Sequence, residues 1–96
     1  MIETKEINLD GSKVLGIKIE LPQAPLLLLV ASRGYVMCSY LNADVAEKLG
    51  QAAALVAGVK TFDDVLNAKI VRATSKAKEL GVREGMLGRE ALKLVC

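Results

Sequence analysis

The chain opens with two stretches of period-two patterning separated by turn residues. Asp10-Gly11 lies between β-prone segments and suits a type I′ turn, whose two central residues both need positive φ. Beyond it Leu15, Ile17, Ile19 and Leu21 alternate with Gly16, Lys18 and Glu20, which predicts a half-buried strand with one solvated face. Pro22 and Pro25 interrupt the ladder and mark a short connection. The next hairpin differs in character. Leu26 to Ala31 is apolar at every position, as is much of Tyr35 to Leu41, with Arg33-Gly34 as the turn between them. Strands apolar on both sides must be covered on both sides. A chain of 96 residues covers one face easily with its own helices, so the other is expected to meet a second subunit.

From Asn42 the period changes. Asn42 is a good N-cap for a short helix over Ala43 to Leu49, and Gly50 fits the position just past its end. Ala52 to Ala57, bracketed by Gly50 and Gly58, could be a helical stretch but reads better as a short buried strand. Thr61-Phe62-Asp63-Asp64 resembles a capping box, with Asp in place of the usual Glu or Gln, and opens a helix to about Asn67. Lys69 to Ala73 is a strand candidate, and Ser75 is a cap for a helix ending at Gly81. Gly85-Met86-Leu87-Gly88 is a glycine-bracketed turn before a final helix from Arg89 to about Val95. No repeat, low-complexity tract or linker divides the chain. The expected fold class is α+β, a single domain over residues 1–96. Residues 1–41 form antiparallel β-hairpins that serve as an oligomerisation sheet, and 42–96 alternate short helices and strands before a C-terminal helix.

Composition narrows the function classes. Hydrophobic residues make up 52% of the chain and aromatic residues only 3%, with no tryptophan. Leu26 to Ala31, the longest dense apolar stretch, is far below the roughly 18–20 residues that a membrane-spanning helix needs. Met1 to Glu6 has mixed charge and no signal-peptide core, so a cytoplasmic protein with reduced cysteines is expected. A net charge of +2 with so few rings argues against a nucleic-acid partner. The absence of histidine removes Ser-His-Asp and Cys-His arrangements and most zinc constellations. No motif designates a cofactor.

Three places could still carry chemistry. Cys38 lies on a strand close to the sheet-to-helix junction, where the N-terminus of the Asn42-capped helix would favour a thiolate; its plainer role is that of a small buried hydrophobe. Gly85 and Gly88 could present bare N–H groups to a phosphate or carboxylate, flanked by Arg83 and Arg89, or could form a tight turn. Lys60 with Asp63 and Asp64 could be an acid/base pair or a magnesium toehold, though a helix cap beside a surface charge accounts for the same residues. These sites frame two readings: a structural or ligand-binding module, and an enzyme using Cys38 with an anion site at the Gly85–Gly88 turn.

Three phrases carry a family resemblance. Gly34-Tyr35-Val36-Met37-Cys38-Ser39-Tyr40-Leu41-Asn42, Gly58-Val59-Lys60-Thr61-Phe62-Asp63-Asp64-Val65-Leu66 and Gly81 to Leu92 together resemble the domain of unknown function 1805 family of small bacterial and archaeal proteins. The likeness covers nearly the whole chain in order. It implies a homo-oligomer, a tetramer held through an N-terminal β-sheet region, and it supplies no reaction.

Overall fold

The computed structural model describes residues 1–96. Six strands and four short helices follow one another as β1 (Ile2–Leu9), β2 (Ser12–Ile19), β3 (Leu26–Val30), β4 (Gly34–Cys38), α1 (Ala43–Lys48), β5 (Ala52–Val56), α2 (Phe62–Asn67), β6 (Arg72–Ala73), α3 (Ser75–Glu79) and α4 (Gly88–Leu94). The α+β class and the antiparallel N-terminal half stand as expected. All six strands form one sheet in chain order. Every neighbouring pair is antiparallel except β4 and β5, which run parallel around α1.

Local chemistry explains most element ends. Asp10 and Gly11 have φ of 52° and 91°, as a type I′ turn requires, and the Asn8 side chain accepts from the Gly11 N–H. Asn42 Oδ1 accepts from the Asp44 N–H at 2.8 Å to start α1, and Gly50, with φ of 71°, ends it. Thr61 Oγ1 accepts from the Asp64 N–H, while the Asp64 carboxylate reaches back to the Lys60 N–H. Several boundaries move: β2 stops at Ile19 before Leu21, and α4 begins at Gly88 rather than Arg89. Gly34 belongs to β4 rather than to a turn, and Ser39 to Leu41 lie beyond that strand. Thr74, not Ser75, caps α3, its hydroxyl accepting from the Ala77 N–H. The expected strand over Lys69 to Ala73 shrinks to Arg72–Ala73. Upstream of it, the Ile70 N–H donates to Met86 O and the Gly85 N–H to Ile70 O, so that backbone is paired outside the sheet.

The sheet has two unlike faces. On one, Val14, Leu27, Leu29, Val36, Cys38, Ala52, Ala54 and Val56 form the core with Phe62, Val65, Leu66, Ala77, Leu92 and Val95 from the helices. On the other, α1 packs Ala43 and Ala46 against Met37 and Ala53. The rest of that second face carries no helix. The pairing register places Ile2, Leu15, Ile17, Ile19, Leu28 and Val30 there. The alternation in β2 is therefore inverted relative to the helices. Its small side, Val14 and Gly16, is buried, and its aliphatic side is the open one, with Leu15 46% exposed. Gly16 suits that role because the Phe62 ring lies directly over it.

Candidate functional site

The largest concavity is a groove of ≈ 460 Å³ where α1 meets the open face of the sheet. Its floor is Leu28, Val30, Tyr35 and Met37, and its wall is Leu41, Val45, Ala46 and Leu49. Small residues at 43 and 46 seat α1 close to the sheet. Val45 and Leu49, one turn apart, are left more than half exposed along the groove rim. The wall is fastened at both ends. The Arg72 guanidinium pairs with the Asp44 carboxylate, and Glu47 Oε1 accepts from the Ser75 N–H at 2.9 Å. One end of the groove is polar: the Tyr35 hydroxyl donates to Gln51 Oε1. Burial holds the Tyr35 phenol above its ordinary ionisation range, so at neutral pH it remains a hydrogen-bond donor. The groove could hold a small molecule with an apolar body and a polar end. Sequence reasoning named none of these residues as a site. The usable signal was the apolar pair Val45 and Leu49, spaced i, i+4 on a helix that needed only alanines to face the sheet.

Cys38 lies at the carboxyl end of β4 and is 4% exposed. It lines a separate crevice of ≈ 160 Å³ with Ala24, Pro25, Ser39, Tyr40, Gly58 and Val59, at the carboxyl ends of the parallel pair β4 and β5. Its Sγ accepts from the Leu27 N–H at 3.2 Å, so the sulfur helps to close the β3 end of the sheet.

The Gly85–Gly88 turn sits elsewhere. None of Arg83, Gly85, Gly88 and Arg89 lines the Cys38 crevice. The backbone donors of the turn are already used inside the chain: Gly85 N–H on Ile70 O, Gly88 N–H on Ala68 O, and Leu87 N–H on Glu90 Oε1. Arg83 donates to the carbonyls of Lys78 and Val82, and Arg89 to Asn67 Oδ1. Gly88 is buried against the Val65 carbonyl, with no room for a side chain. Lys60 and Asp64 meet only through the backbone N–H bond that caps α2.

Fold and groove together define a small α+β protein with a half-covered sheet and an apolar cleft at the edge of its cover. The chain belongs to the family described as a domain of unknown function (DUF1805), whose profile matches residues 37–95. It is 34% identical over 96 residues to the uncharacterised protein YunC of Bacillus subtilis (strain 168), covering 96% of this chain and 95% of that one. The crystal structure of TA1206 from Thermoplasma acidophilum, a protein of unknown function, superposes with a TM-score of 0.95 at 38% identity, covering all of this chain and 94% of that one. No helix here is long and apolar enough to cross a membrane.

Proposed function

We propose that this protein is a cytoplasmic homo-oligomeric binding module, a tetramer assembled through its N-terminal sheet, whose ligand is a small molecule held in the groove beside α1. The open apolar face carries this reading. Ile2, at 69% exposure, and Leu15 adjoin the half-buried Ile17, Ile19, Leu28 and Val30 on one side of the sheet. Soluble chains seldom leave such a continuous apolar surface to water. Covering it with another copy is energetically easy, because a standard interface buries about 800 Å² per partner. Light scattering on the purified chain tests the assembly; a concentration-independent single-chain mass would overturn it. Thermal-shift screening against metabolite pools tests the ligand, with Leu49→Asp as the control that should lose any hit.

A second reading rests on the Cys38 crevice. Open sheets with parallel strands bind ligands outside the carboxyl ends of those strands, and this thiol stands there. It makes the protein an enzyme with Cys38 as a reactive thiol, and the titration of that thiol decides it.

A further inference from the structure

The free edge of the sheet is unusually regular. β1 has eight residues, no proline and no bulge, and every residue from Ile2 to Glu6 is exposed. The Met1 carbonyl accepts from the Glu20 N–H at 3.0 Å, so Met1 and Glu20 form a hydrogen-bonded pair of the β1–β2 ladder. Antiparallel ladders alternate, so the odd-numbered residues of β1 bond to β2. The N–H and C=O groups of Ile2, Thr4, Glu6 and Asn8 therefore point outward along the edge. Natural proteins blunt such an edge or pair it.

We infer that β1 pairs antiparallel with β1 of a second copy about a two-fold axis through Thr4, joining the two sheets into one. The inference rests on the homo-oligomeric reading above and specifies which edge and which register it uses. Charge selects the register. A two-fold axis normal to the sheet sets one residue of β1 opposite itself. An axis at Glu3, Lys5 or Glu6 brings like charges face to face, which is unfavourable directly across a ladder. An axis at Ile7 runs Thr4 against the Asp10-Gly11 turn of the partner and leaves only the Glu6–Asn8 pairs to bond.

The axis at Thr4 satisfies both requirements. Thr4 meets Thr4, and Ile2 meets Glu6 on either side, so three outward-facing pairs each exchange two backbone bonds. Between them Glu3 stands opposite Lys5 of the other copy, twice, in the closer non-hydrogen-bonded positions. The axis keeps the open faces of both copies on the same side. The two apolar patches of Leu15, Ile17 and Ile19 then lie on one side of the joined sheet, separated by the two β1 strands with Thr4 and Glu6 on that face.

Mixing two charge variants tests this. Lys5→Glu sets glutamates against glutamates across the axis, and Glu3→Lys sets lysines against lysines. Each variant alone should associate at least about tenfold more weakly than wild type by sedimentation velocity. An equimolar mixture restores both opposite-charge pairs and should recover wild-type association as a heterodimer. Effects within a single chain, such as Glu3→Lys facing Lys18 in β2, would not be rescued by mixing. Thr4→Cys in a Cys96→Ser background should crosslink under mild oxidation, since the axis brings that position opposite itself. A wild-type oligomer that ignores both charge variants and leaves Thr4→Cys uncrosslinked overturns the edge pairing while leaving the oligomer intact. A monomeric wild type overturns the oligomer itself, and with it the pairing.

Discussion

Leu27 and Leu28 are neighbours in sequence and face opposite sides of the sheet: Leu27 is fully buried under the helices, while Leu28 lies half-buried on the open face at the groove floor. The same substitution at the two positions should therefore fail in different ways. Leu27→Glu places an unpaired carboxylate in the core, a defect of about 4 kcal/mol or more, and should abolish the folded circular-dichroism signal. Leu28→Glu, or Leu15→Glu further from α1, should keep the fold and lower the mass seen by light scattering. A folded Leu27→Glu variant would contradict the assignment of faces.

Gly88 gives a sharper test of packing. A Cβ there would collide with the Val65 carbonyl, which is backbone and cannot swing away. Gly88→Ala should cost about 3 kcal/mol through displacement of α4 from α2. Gly58 provides the contrast, with φ of 70° and open space around it, so Gly58→Ala should cost only about 1 kcal/mol of backbone strain. Urea unfolding of both variants checks the order, and equal losses would show that Gly88 is not a contact residue.

The two thiols should separate by rate. Cys38 is buried with its sulfur accepting the Leu27 N–H, whereas Cys96 is half-buried. A chromogenic disulfide reagent should therefore react with Cys96 first and with Cys38 only as slowly as the protein opens. Comparing Cys96→Ser with wild type isolates the buried thiol. Rapid modification of Cys38 with a midpoint well below the usual thiol range near 8.5 would move the weight to the enzyme reading.

One pH effect has a definite sign. Lys93 Nζ lies 2.6 Å from the Asp10 carboxylate, and this hydrogen bond, with the lysine's charge behind it, holds Asp10 below its ordinary value near 3.8. A lowered folded pKa stabilises the folded state above the unfolded value and loses that contribution as pH falls through the folded one. The tie from the first hairpin to α4 should thus be intact at neutral pH and release only in stronger acid. Carbon-detected titration of the Asp10 carboxyl should show a midpoint below 3.8 that returns to the ordinary range in Lys93→Ala. The pair is exposed, so high salt should weaken the shift. An unchanged midpoint in Lys93→Ala would refute the pairing.

Much of this architecture was legible in the chain because it depends on near neighbours. Asp10-Gly11, Asn42 with Gly50, and Thr61 with Asp64 each specify a turn or cap through bonds spanning a few residues, and the structure forms all three. The apolar run between Gly50 and Gly58 forms a strand over Ala52–Val56, one residue short of the expected Ala57. Tertiary structure decided what periodicity leaves symmetric. Alternation in β2 says that two faces differ, yet only the docking of Phe62 over Gly16 makes the side of Val14 and Gly16 the covered one and leaves Leu15 in the open. Gly88 resembled an anion cradle because a glycine before a helix serves either to bare its N–H or to let another backbone close in. Only the position of Val65, distant in sequence, distinguishes the two. The groove was hidden for the same reason. Val45 and Leu49 come from one element and Leu28, Val30 and Tyr35 from two others, and no local pattern encodes how far α1 stands from the sheet. Short-range hydrogen bonding wrote the elements into the sequence, whereas the choice of face and the cleft between elements arise from contacts that form only when the chain closes on itself.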